Sequence, residues 1–295
     1  MANIKGSEMK TSTEIRTTAN FVGYEKAIEL IAKAGFDAWD FTLCDMARYN
    51  WNTKTYIAMQ NEMTSPNYAN FAKILRKVGE NNGIRCNQSH APFPVCCKEI
   101  KDYLKRAIEC TAIAGGEICI VHPDNDKNGE ENAQMYFELL EFAKPMGVKI
   151  ACENMFNYDA STDTYLNAAC STAQSFLEHL NAVNDDYFVA CLDVGHAEMH
   201  DLKTSAVDII NKIGGKIQAL HLHDNDLKHD CHAMPFTMNI DYLPIIKALK
   251  KVGYNGYMTL EADSHLSKFT INELSRELKN LYNSARKLAD MFENA

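Results

Sequence analysis

The chain has no run of five or more charges of one sign, no stretch approaching the roughly 18 apolar residues of a membrane helix, and no proline-, glycine- or serine-rich linker. Each absence removes a class of protein. Without blocks of like charge there is no polyelectrolyte tail. Without a long apolar run no helical membrane span is expected, and the opening MANIKGSEMK lacks the apolar centre of a secretory signal. Cysteine is plentiful at ten, but CxxC pairs and a regular framework are missing. Cys119, Cys152 and Cys191 lie inside apolar strand-like runs, which reads as buried free thiols in a reducing compartment and gives a cytoplasmic expectation. The net charge of −9 disfavours a broad electrostatic grip on nucleic acid.

What is present is a regular alternation. With 295 residues, 46% of them hydrophobic, the chain can bury one large core. Strand-like runs at 13–18, 36–43, 84–90, 117–122, 148–154, 187–193, 217–223 and 256–262 alternate with helical patterns at 24–34, 66–82, 98–114, 131–144, 172–180, 204–213, 242–252 and 271–295. Gly35, Gly83, Gly115, Gly214 and Gly253 stand where helices should stop. Eight strand–helix units imply a parallel sheet, and in this length they match a single α/β domain, a (β/α)8 TIM barrel over 13–295 with a polar tail at 1–12. A doubly wound open sheet is the alternative. The segment 45–64, with Tyr49, Trp51 and Tyr56, reads as a polar and aromatic connection, and the stretch up to Asn167 as a polar loop.

The strand-like runs end on ionisable residues. VACLDVGH delivers Asp193 and His196; SHAPF ends at His90, VHP at His122, ACEN at Glu153, ALHLHDND at His221 and His223, and TLEAD at Glu261. A single strand-terminal acid is commonly a helix cap, and a His before Pro a turn residue. A barrel, however, brings every strand C-terminus to one mouth, and a barrel wall has no need of so many ionisable ends. Glu153, Asp193, His221 and Glu261 would converge from the last four strands. Three carboxylates and one imidazole form an oxygen-rich, open donor set for one divalent ion, with Mn²⁺ the first choice and Mg²⁺, Co²⁺ or Zn²⁺ also suited.

These motifs, together with DCH at Asp230 to His232, resemble the xylose isomerase-like TIM-barrel superfamily of sugar and sugar-phosphate isomerases and epimerases, over most of the chain. The resemblance implies a small sugar or sugar-phosphate substrate. It implies a metal held by Glu153, Asp193, His221 and Glu261, with Glu153 and Glu261 exchanging a proton next to a carbonyl through a metal-stabilised enediolate. His196 would donate to a substrate oxygen, with His90, His122, His223, Asp230 and His232 also on the substrate side. His221 and His223 share one parity along the strand; Asp224, three residues after His221, favours His221 as the ligand. An Arg that the epimerases carry after this strand is absent, Lys228 being the cation there, and Phe236 and Met238 stand where many relatives have glycine. Endonuclease IV, a relative, holds three zinc ions with nine ligands, all of suitable type here, so a phosphodiesterase acting on abasic DNA is one alternative. A dehydratase or carbon–glycoside lyase is another, and a non-catalytic binding barrel a third. The helix at 271–295 is expected to close the barrel wall, with a homodimer contact as another use of its face.

Overall fold

A computed structural model of the protein describes residues 8–295. Eight parallel strands form the sheet: β1 Thr11–Glu14, β2 Ala38–Thr42, β3 Arg85–His90, β4 Ile118–Ile120, β5 Lys149–Glu153, β6 Phe188–Asp193, β7 Ile217–His221 and β8 Met258–Leu260. Their order around the sheet follows the sequence, with β8 beside β1. The circle closes where β7 meets β8, through a parallel bridge between Leu222 and Leu260. This is the expected TIM barrel.

The alternation along each strand explains which side chains reach the lumen. In β5, β6 and β7 one face carries Ala151, then Val189 and Cys191, then Ala219; with Ile120 these small residues form their own buried cluster inside the barrel. The same faces end in Glu153, Asp193 and His221. The opposite faces, including Ile150, Cys152, Phe188, Leu192 and Leu220, belong to the large cluster shared with the helices. The lumen beneath β1–β3 and β8 is polar instead: Ser12 Oγ donates to Asn87 Oδ1 at 2.7 Å, and Asn87 Nδ2 reaches Thr259 Oγ1 at 3.2 Å.

Several expected boundaries moved. β1 begins at Thr11, inside the stretch read as a tail, and Met9 is buried with its N–H on Glu293 at 2.8 Å. The first strand ends at Glu14 because its carboxylate accepts the Thr17 N–H, and Arg16–Val22 turns helical. The connection at 45–64 contains an antiparallel hairpin, Ala47–Asn50 with Thr55–Ala58, and the polar loop after β5 contains another, Phe156–Asp159 with Thr164–Asn167. Both stand outside the barrel sheet, largely without the buried face that makes a strand visible in sequence.

Candidate metal centre

Four strands deliver the central group. Glu153 ends β5, Asp193 ends β6, His221 ends β7 and Glu261 follows β8. One ligand-type atom from each lies within 4.8 Å of all the others. His221 Nδ1 stands 2.8 Å from Glu153 Oε1 and 3.1 Å from Glu261 Oε2. Glu153, Asp193 and His221 are fully buried, while Glu261 is partly open to the mouth. Burial alone would raise the Glu153 pKa, but the positive charge of His221 and the close approach of the His122 and His221 rings hold it well below the usual carboxylate range. Burial opposes the charge on His221, yet Cys191, Glu261 and Glu153 outweigh it and raise its pKa well above the ordinary value. A proton on His221 thus occupies the charge position that a metal ion would take.

The donors fit such an ion. Glu153 Oε2 is buried without a hydrogen-bond partner, although His122 Nε2 lies 3.1 Å away out of line. An anionic oxygen left unsatisfied in a dry site is costly unless a cation completes it. Glu153, Asp193, His221 and Glu261 would hold that cation, and His90 and His122 flank it. The Nε2 atoms of these two histidines are 2.9 Å apart, and burial lowers the His122 pKa to about 4, which keeps its ring neutral.

On the other side of Asp193 lies a second group: His196, His223, Asp230 and His232. His196 Nδ1–H donates to the Asn154 carbonyl at 2.9 Å and His232 Nδ1–H to the Glu261 carbonyl at 2.8 Å. Both rings therefore turn Nε2 toward Asp230, at 3.6 and 3.2 Å. His223 Nε2 contacts Asp193 at 3.1 Å, and its ring stacks on His232 with centroids 4.0 Å apart. Burial would depress the His196 pKa, but Asp193 and Asp230 raise it to about 10. Gly195 is required here: a Cβ on it would fall 1.9 Å from the His223 ring. So His221, at the end of β7, and His223, two residues beyond it, both face inward, His221 to the Glu153–Glu261 side and His223 to the Asp193–Asp230 side.

All ten residues singled out from the sequence lie at this mouth, and several others reach it that the sequence did not announce. Asp40, in the middle of β2 between Trp39 and Phe41, sits under the centre: its Oδ2 is 3.3 Å from His221 Nε2 and accepts from Gln88 Nε2 at 2.8 Å. A lone carboxylate in an otherwise apolar strand was its only mark. Asn154 clamps β6 by exchanging two 2.8 Å hydrogen bonds with the Asp193 backbone. Glu14, Arg16, Phe93 and Asp263 line a cavity of about 130 Å³ together with His90, His232 and Glu261. Arg16, from the end of β1, puts a guanidinium at the mouth and pairs with Asp263 at 2.7 Å. Lys228 is drawn away to Asp163. Phe236 holds a backbone φ of 71°, the left-handed region a glycine would favour.

Comparison with known proteins agrees with this architecture. An uncharacterized protein, MJ1311, from Methanocaldococcus jannaschii is 24% identical over 270 residues, covering 87% of this chain and 85% of the relative. An inosose dehydratase from Serratia proteamaculans is 24% identical over 157 residues, 47% of this chain and 49% of that enzyme. Among solved structures, a D-tagatose 3-epimerase-like protein superposes with a TM-score of 0.70 at 20% identity, over 96% of this chain and 98% of that one. The family model for the xylose isomerase-like TIM barrel matches residues 28–291, and the chain belongs to that family.

Proposed function

We propose that the protein is a divalent-metal-dependent isomerase or epimerase of a sugar or sugar phosphate. The observation that carries this reading is the convergence of Glu153, Asp193, His221 and Glu261, their ligand atoms within 4.8 Å of one another at the barrel mouth. A bound cation would polarise a substrate carbonyl and lower the cost of removing the neighbouring carbon-bound proton. Glu153 and Glu261 are the bases at hand; one takes the proton and the other returns it. His196, held by Asn154 through Nδ1, presents Nε2–H to a substrate oxygen. Arg16 and Glu14 supply further hydrogen bonds for hydroxyl groups from the β1 side. Phe93 covers His122 at 4.6 Å and limits water at that wall.

The test is incubation of the Mn²⁺-loaded protein with a panel of ketoses in D₂O, followed by NMR. Exchange of a carbon-bound hydrogen is expected, and Glu153→Gln or Glu261→Gln should reduce it by about 10²- to 10⁴-fold. No exchange on any ketose, or exchange untouched by both substitutions, refutes the reading. If exchange is followed by loss of water, the same site is a dehydratase, the activity named for the Serratia relative.

A second reading rests on a separate observation. Five overlapping groups of ligand-type residues gather here, three of which, His90–His122–Glu153, the four central residues, and His196–His223–Asp230–His232, span the mouth with Glu153 shared by the first two. Three such groups suit a trinuclear zinc phosphodiesterase. Three zinc ions per chain by elemental analysis, with incision of abasic DNA, would decide for it.

A further inference from the structure

The metal-side cavity has a neighbour across Phe93. Arg16, Cys44 and Phe93 line it and equally line an outer groove of about 270 Å³, roughly twice its size, which runs on between Arg48, Tyr49, Trp51, Met59 and Pro94. The two spaces share these three residues as a common wall. One side of the outer groove is formed by Ala47, Arg48, Tyr49 and Trp51 of the hairpin Ala47–Asn50 with Thr55–Ala58, an insertion after β2 that the barrel itself does not need. The hairpin carries a cluster of aromatic side chains. Tyr49 holds Trp51 edge to face, centroids 4.8 Å apart, and Tyr56 lies 5.2 Å from Tyr49. Tyr56 is pinned in turn by its hydroxyl, which donates to the Pro94 carbonyl. Trp51 is nonetheless 72% exposed and Phe93 42% exposed. Large aromatic faces fixed by neighbours and left open beside a catalytic cavity are the usual make-up of a stacking platform.

We infer that this groove is a subsite for a second ring, the aglycone or neighbouring sugar of a glycosidic substrate whose reacting ring sits at the metal centre. The inference rests on the proposed sugar chemistry and names the substrate class for it. The inner cavity is edged by Glu14, Arg16, Thr42, Asp263 and Glu261, whose polar groups can meet the hydroxyls of one ring. The outer groove offers flat apolar faces for a ring bearing C–H or π surface, with Arg48 and Asp45 at its edge for peripheral hydroxyls. Both a sugar and an aromatic ring present such a face, so two probes are needed.

The experiment is calorimetric titration of the Mn²⁺-loaded protein with three 3-keto-β-D-glucopyranosides: the methyl glycoside, the p-nitrophenyl glycoside and the corresponding β-glucosyl disaccharide. Wild type should bind at least one of the two larger probes about three- to tenfold more tightly than the methyl glycoside. Trp51→Ala should bring that ratio close to one, and Trp51→Phe should retain part of it. Equal affinity for all three probes overturns the subsite, as does a ratio that survives Trp51→Ala or no binding of any probe at millimolar concentration. So does sedimentation showing that Trp51→Ala dissociates a dimer, which would give the exposed indole another occupant. Hydrogen exchange in D₂O, followed on the same three compounds, separates the two ideas. Absent exchange with an intact affinity ratio removes the reaction and keeps the subsite; exchange on the methyl glycoside with a ratio of one does the reverse.

Discussion

Replacing Asp40 by Asn should weaken metal binding without touching any of the four central donors. His221 has Nδ1 on the Glu153 and Glu261 side and Nε2 on Asp40, whose other contact is Gln88. The carboxylate orients the ring and makes it a more basic donor, and removing such outer partners typically costs about 10- to 100-fold in metal affinity, roughly 1.4–2.8 kcal/mol. Asparagine keeps the shape and an oxygen for both hydrogen bonds. Its amide would fall where Asp40 Oδ1 is now buried without a partner. That unpaired donor should lower the stability of the metal-free fold by about 1–3 kcal/mol. Mn²⁺ titration against a competing chelator gives the first quantity, and urea unfolding of metal-free protein gives the second. An unchanged dissociation constant would refute the argument, because His221 would then need no orienting partner. A variant destabilised yet unaltered in metal affinity would assign Asp40 to folding alone.

Three further outcomes are expected. Burial and the nearby Asp263 push the Glu14 carboxyl from 4.5 to about 7, so its neutral form favours the fold below pH 4.5 and that advantage disappears as pH rises through 7. At about 1.4 kcal/mol per tenfold in proton affinity, Glu14→Gln should be up to about 3 kcal/mol more stable than wild type above pH 7 and indistinguishable below pH 4.5; urea midpoints across that range check it, and a constant difference would be contrary. The neighbouring carboxylates raise the His221 pKa in the metal-free protein, so Mn²⁺ uptake should release protons and tighten as pH rises, which calorimetry in buffers of different ionisation enthalpy measures directly. Gly195→Ala must displace the His223 ring and should cost about 1–3 kcal/mol; a melting temperature equal to wild type would show that the ring moves freely.

The barrel and the convergence of its ionisable strand ends were legible because period-two alternation and strand-end chemistry coincide. Small apolar residues at Ala151, Val189, Cys191 and Ala219 precede Glu153, Asp193 and His221 on the same face, so the run and its ending announce both the strand and its place at the mouth. Asp40 and Asn154 were less visible because each acts across the sheet. Asp40 gains its role only from β3 and β7, and Asn154 only from the β6 backbone 39 positions away. The hairpin that carries Trp51 lacks a buried stripe and reads as loop. Arg16 was hidden by the misplaced end of β1. Once Glu14 stops that strand, the guanidinium arrives at the mouth from the opposite side to Lys228.

The closure between β7 and β8 gives the centre a mechanical meaning. Among the described residues these two strands are joined by one bridge, with Leu222 donating to the Thr259 carbonyl and Glu261 to the Leu222 carbonyl. His221 and Glu261 stand on either bank of that seam. A cation gripping both would rivet the thinnest joint of the cylinder, so stripping it should loosen amide protection first at 217–222 and 258–261, and only later in the laced strands opposite.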